Sequence, residues 1–267
     1  MRIFALLMNM RSLVRLLTAA APIGWLLSSV SLAGSAVTST PSTPPPLAPA
    51  AENSGLGVEA SLGWDSHYIF RGELLQKNTA WTQLSLDIPL TDSLSLNISP
   101  WFLQDIDNDY NEFDLNSALT YSLEPWEFSA GYGGYFYPRK SLGDNIGIGD
   151  EQEMTASVSR SLGDFNASLM SAYNFTRESF YYQFSLDYEL SVSEKLTLTP
   201  SVALGWDSDY FDDGTDLNHV ALRLAATYQL TSSCSVSPYI AGNLPMGHLD
   251  ASSNEDVYGG VSLTVGF

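Results

Sequence analysis

Glu59, Asp65, Asp87, Asp114, Glu127, Glu153, Asp187 and Glu189 share one property: each lies among the polar members of a segment in which apolar and polar side chains alternate. On a β-strand such alternation gathers them on one face, because successive side chains point to opposite sides. Arg223 is the clearly basic residue on the same parity. A wall of low dielectric carrying one sign of charge concentrates counter-ions and repels like-charged solutes. The chemistry these residues offer is therefore selection of solutes, with cations or neutral molecules preferred, rather than the making of bonds. The same set also suits a solvated wall around a lumen too tight for much beyond water.

Other reactive residues are sparse. Ser66 and His67 are the adjacent nucleophile and base, but neighbours on a strand face opposite ways and are expected not to meet. His219 and His248 have Asp and Ser nearby without a recognisable motif, so no catalytic residue and no enzyme activity is expected. Two stretches are dense in carboxylates, Asp105, Asp107, Asp109 and Glu112, and Asp207, Asp209, Asp212, Asp213 and Asp216. The first starts like a calcium loop but lacks its Gly and its later Glu, so an ordinary solvated loop is expected, with no metal and no cofactor. Cys234 is the single cysteine, which rules out an intramolecular disulfide.

The elements that must position these residues are strands. Twelve candidates run from Leu56 to the C-terminus, each with period two. The first sets Leu56, Val58, Ala60, Leu62 and Trp64 against Gly57, Glu59, Ser61, Gly63 and Asp65, and the last sets Val257, Val261, Leu263, Val265 and Phe267 against Tyr258, Ser262 and Thr264. Tight turns are expected near 91–93, 124–125, 163–164, 191–195 and 231–233. Longer connections are expected at 66–78, 105–112, 138–150, 207–216 and 244–255, with a shorter one at 176–179. Tight turns at one end and long loops at the other, with an even strand count, predict an all-β fold: a transmembrane antiparallel β-barrel of about 12 strands. A soluble barrel or sandwich also alternates, but with its apolar face inward. The membrane form must close, since an open sheet edge in lipid leaves backbone groups unsatisfied. Tyr135, Tyr181, Tyr239 and Tyr258 fall on the polar face, where they are expected to narrow the bore.

Residues 1–36 read as a signal peptide, with Arg2, Arg11 and Arg15 ahead of a mostly apolar core; a retained helical anchor is the alternative. Residues 37–54 hold Pro41, Pro44, Pro45, Pro46 and Pro49 and read as a disordered Pro-rich tether, which leaves 55–267 for the barrel. Cleavage would remove three Arg and no acid, taking the net charge from -19 to -22. Such a chain is a poor partner for nucleic acid, whose phosphates need Lys and Arg. The expected setting is the bacterial outer membrane, with its lipid and lipopolysaccharide, the barrel-assembly machinery and small solutes as partners.

Leu62-Gly63-Trp64-Asp65-Ser66 followed by Tyr68 recurs as Leu204-Gly205-Trp206-Asp207-Ser208 followed by Tyr210. The first copy continues to Phe70-Arg71-Gly72, and Ser66, Tyr68, Phe70, Arg71 and Gly72 resemble the Ser-Asp-Tyr-x-Phe-Arg-Gly signature of the TorF-type porin family, with His67 in place of the Asp. The resemblance covers some eight residues. It implies an outer-membrane barrel with channel activity and an undefined solute. Arg71 is expected either to fold inward onto rim carboxylates or simply to order the first loop, with Gly72 permitting the turn. The closing strand, ending on Phe267, resembles the C-terminal signal of outer-membrane barrels. Together these features predict a porin-like channel for passive diffusion of small, preferentially cationic or neutral solutes. The alternative is a structural or adhesive surface barrel with a closed pore.

Overall fold

The structure, a computed structural model, describes residues 56–138, 151–210, 214–247, 249 and 256–267. The segments read as signal and tether lie outside the described residues, as do His248 and parts of the longer connections. Period-two sequence becomes strand throughout: β1 (Gly57–Phe70), β2 (Glu73–Thr91), β3 (Leu94–Asp105), β4 (Asn111–Leu123), β5 (Trp126–Phe136), β6 (Glu151–Leu162) and β7 (Phe165–Asn174). There follow β8 (Ser179–Tyr188), β9 (Leu190–Ser193), β10 (Leu196–Ser208), β11 (Thr215–Thr231), β12 (Cys234–Pro245) and β13 (Asp256–Gly266). β8 and β9 both pair with β10 and are one stave interrupted at Glu189, so the thirteen segments make a closed antiparallel barrel of twelve staves. Closure is the antiparallel pairing of β1 with β13, in register from Glu59↔Gly266 to Asp65↔Gly260. The N–H of Phe267 extends this seam to the carbonyl of Val58 at 2.9 Å.

The five tight turns fall where the sequence places them. Proline marks the weak rungs, because it has no N–H to give a neighbour. The β2–β3 register passes from Gln83↔Trp101 to Leu86↔Ile98 around Pro100, and the β11–β12 register from Ala225↔Tyr239 to Tyr228↔Val236 around Pro238.

The outer surface is apolar, the reverse of a soluble barrel: Leu62, Leu84, Phe102, Leu115, Leu169, Phe184, Leu224 and Ile240 are all exposed. A continuous apolar belt of this kind is stable only against lipid or a partner. Arg160 lies 4.8 Å over the Trp126 ring beside the tight-turn end, the arrangement of an interfacial anchor.

Two expectations fail. The long connection at 66–78 does not exist: β1 runs to Phe70 and β2 begins at Glu73, leaving Arg71 and Gly72 as a two-residue turn. Polar residues between the strands read as loop because they are neither lipid-facing nor regularly alternating, and the reason lies in where this hairpin goes. Ser66 and His67 also meet after all, Oγ to Nδ1 at 3.1 Å. A register shift between Tyr68 and Ile69 twists the strand just beyond them.

Candidate functional site

The β1–β2 hairpin does not stand up from the rim; it lies across the lumen at the level of the outer strand ends. Both turn residues have positive φ, 51° at Arg71 and 89° at Gly72, as a two-residue type I′ hairpin requires. Arg in this region costs on the order of 1 kcal/mol, so something must hold it there. Its guanidinium, 0% exposed, makes a bidentate pair with Glu153 of β6, itself 0% exposed, at 2.7 and 2.5 Å. The guanidinium carbon also sits 4.8, 4.5 and 4.7 Å from the ring centroids of Phe70, Tyr181 and Tyr210. Tyr181 belongs to β8, on the far side of the ring from β1 and β2.

The backbone of the turn is held as firmly as its side chain. Asn218 Nδ2 donates to the carbonyl of Arg71 at 3.2 Å, and Asn243 Nδ2 donates to that of Gly72 at 2.7 Å. His219, buried, donates from Nδ1 to Asn218 Oδ1 at 2.7 Å, which fixes the tautomer through the network, and its ring stacks parallel to Tyr181. A Cβ on Gly72 would stand 2.6 Å from the His219 ring, so this position admits only glycine on two counts.

The sides of the hairpin bury apolar rings inside the barrel. Tyr68 packs with Trp81, Trp101 and Leu103, while Met170, Ala172, Tyr181 and Tyr210 form a second cluster, and Phe70 touches both. Tyr68 also donates to Glu112 Oε1 at 3.3 Å, and Tyr110 donates to Oε2 at 2.6 Å. Glu153 accepts from the hydroxyls of Tyr135 at 3.3 Å and Tyr210 at 3.1 Å, in addition to Arg71. Asn174 Nδ2 donates to Glu151 at 2.7 Å and to Tyr210 Oη at 3.3 Å, which links a second ion pair, Glu151 with Arg177 at 2.8 Å, to the first. Arg177 is 37% exposed, so solvent screens it. Its partner Glu151 is only 5% exposed, so Arg177→Ala leaves a buried carboxylate with Asn174 beside it and is expected to cost about 1–3 kcal/mol, read as a fall in the urea unfolding midpoint smaller than that of Glu153→Gln.

The two copies of the repeated motif have parallel roles. Asp65 and Asp207 are both turned inward and buried, and Gly63 and Gly205 make room for rings on the adjoining strands, Trp81 and His219. Tyr68, within the hairpin, and Tyr210, outside it, belong to the two apolar clusters that both pack on Phe70. Trp64 is 39% exposed at the lipid face and Trp206 half-buried.

Of the nine residues assigned to the polar face, Asp65, Asp114 and Glu153 are shut in at 1% exposure or less, around or just below the hairpin. Glu59, Glu127, Asp187 and Arg223 are half-buried, and Asp87 and Glu189 exposed, along the half nearer the tight turns. Ser66, Tyr68, Phe70, Arg71 and Gly72 all belong to the hairpin and its root; Ser66 Oγ accepts the N–H of Gly259 at 3.1 Å across the closing seam. The sequence reading missed Glu112, Tyr210, Asn218, His219 and Asn243 as partners of that hairpin, and Asn174 as the link between Tyr210 and Glu151. Only Tyr210 carried a signal, as the counterpart of Tyr68 in the repeat. Asp105 Oδ1 accepts the N–H groups of Asp107 at 2.7 Å and Asn108 at 2.9 Å, so this acidic loop turns its first carboxylate on its own backbone.

No family model matches the chain, and no curated protein matches it by sequence. Solved structures do match. The COG4313 outer membrane channel from Pseudomonas putida F1 superposes with a TM-score of 0.56 at 12% identity, covering 79% of this chain and 95% of that one. The NanC porin superposes with a TM-score of 0.50 at 10% identity, covering 78% and 98%. At such identities the likeness is one of fold. The fold is that of bacterial outer-membrane β-barrels.

Proposed function

We propose that this chain is a narrow outer-membrane channel for passive diffusion of small cationic or neutral solutes, entered after a signal peptide and tether (1–54) have led residues 55–267 to the membrane. The observation that carries the reading is a closed barrel with an apolar exterior and an inward face on which Glu59, Asp87, Glu127, Asp187 and Glu189 keep contact with solvent. Carboxylates lining one half of a lumen favour cations over anions. Channel proteins among the solved structures of similar fold support the same class of function. The hairpin supports membership of the TorF-type porins, since the residues of that signature are the ones that build it.

A second reading has a specific observation in its favour: the Arg71–Glu153 pair and the rings around it cross the lumen, as a permanently closed structural or adhesive barrel would have them do. Single-channel recording in planar bilayers separates the two. A channel is expected to show small, cation-preferring conductance steps with closures; anion preference, or silence in the wild type and in hairpin-released variants alike, excludes it.

A further inference from the structure

Below the hairpin, Arg223 stands apart from the other inward-facing arginines. Arg71 and Arg177 each clasp a glutamate, whereas Arg223 makes no ion pair among the described residues. It is held by its ring neighbour, with the guanidinium carbon 4.3 Å from the Tyr239 centroid, and its Nε is buried with no hydrogen-bond partner among those residues. On β11 it lies four positions from His219 toward the tight-turn end, roughly 13 Å deeper along the strand.

Carboxylates flank it on both sides. Tyr239 donates its hydroxyl to Asp65 Oδ1 at 2.7 Å, and Asp65 Oδ2 is buried with no partner among the described residues. Asp187 shares a rung with Arg223 through Ser201, which pairs with both. Arg223, Tyr239, Tyr258 and Asp187 are half-buried rather than sealed, so a small molecule in the lumen reaches them.

We propose that Arg223, with Asp187 beside it and the buried Asp65 behind Tyr239, is a binding site for a small zwitterionic solute, whose carboxylate takes the planar fork of Arg223 and whose ammonium meets Asp187, with the charge of Asp65 acting from behind the Tyr239 ring. A simple anion gains the fork but is repelled by Asp65 and Asp187, and a simple cation gains the aspartates but is repelled by Arg223. A net-neutral molecule carrying both charges satisfies all three. The proposal rests on the channel reading and narrows its solute class.

The test is calorimetric binding to the full detergent-solubilised barrel with three molecules of matched length: 4-aminobutanoate, butanoate and butylammonium. The zwitterion is expected to bind about tenfold more tightly than either of the others, the factor of one charge-assisted hydrogen bond. Arg223→Gln is expected to abolish that advantage, and Arg223→Lys, which keeps the charge but loses the planar fork, to recover part of it. Equal affinities for the three molecules, butanoate binding best, or an unchanged preference in Arg223→Gln would overturn the site. Liposome swelling with the same molecules and a neutral sugar reports on the channel reading separately: swelling with no zwitterion preference in binding sinks the site alone, and binding without any swelling sinks the channel alone.

Discussion

Glu153→Gln is expected to destabilise the barrel by about 3–5 kcal/mol and to raise its conductance, because it leaves the Arg71 guanidinium charged, dry and without its counter-charge. Both partners are 0% exposed, so water cannot take over the lost bonds while the hairpin stays in place. The less costly escape is for the hairpin to leave, carrying Arg71 to solvent and Phe70 out from between its two apolar clusters. The unfolding midpoint in urea measures the first effect and single-channel open probability the second. Replacing both members, Arg71→Met with Glu153→Leu, is expected to recover part of the stability, since a buried ion pair gives little net stability over apolar side chains of similar volume, while the buried hydroxyls of Tyr135 and Tyr210 lose their acceptor. An unchanged midpoint in Glu153→Gln would show that the pair does not hold the hairpin.

Gly72→Ala carries the second large effect. At φ 89° an L side chain is strained by about 1–2 kcal/mol, and overpacking against a fixed ring adds about 1–3 kcal/mol. The added Cβ would stand 2.6 Å from Cγ and Nδ1 of His219, whose ring is pinned by Asn218 and stacked on Tyr181. Gly163→Ala supplies the control: φ is 67° there, and nothing lies within 4 Å of the added methyl. The control is expected to lower the unfolding midpoint by the backbone contribution alone, and Gly72→Ala by at least twice as much. Adding His219→Gly to Gly72→Ala removes the clash but not the strain, since an alanine at 219 would keep a Cβ 2.7 Å from the added one, so this double variant is expected to show a favourable coupling between the two sites. Simple additivity of the two losses would place the cost somewhere other than this contact.

The two effects have a common basis. The hairpin is held by groups from many staves, β6, β8, β11 and β12 among them, and each contributes one contact to a turn that is itself strained. Such a crossbar either sits with its full set of contacts or withdraws with none of the decisive ones, which makes its position close to two-state.

Much of this was legible in the chain itself. Alternation assigned Leu62, Leu84 and Leu169 to the outside and Asp65, Asp114 and Glu153 to the inside, because a period of two on a closed sheet admits one partition of side chains. Turn chemistry placed the five tight connections, and counting between them gave the twelve staves. The inward fold of Arg71 was available as one of two options, the other being simple ordering of the first loop. What the sequence left open was the path of 66–78. In that stretch the side chains face protein on more than one side, so the in-and-out rule that lipid enforces elsewhere no longer applies.

Only the tertiary structure chose Glu153 as the partner of Arg71, 82 positions away, from several carboxylates on the same parity. Periodicity says which face a residue takes but not how far a hairpin bends or which rung it meets, for those depend on the bore of the closed barrel and on the space cleared by Gly72 and Gly205 around His219. Arg223 shows the same division. Its sequence position made it the one basic residue on an acidic face; the stacking on Tyr239, the bond from Tyr239 to Asp65 and the rung shared with Asp187 came from staves that meet only when the barrel closes.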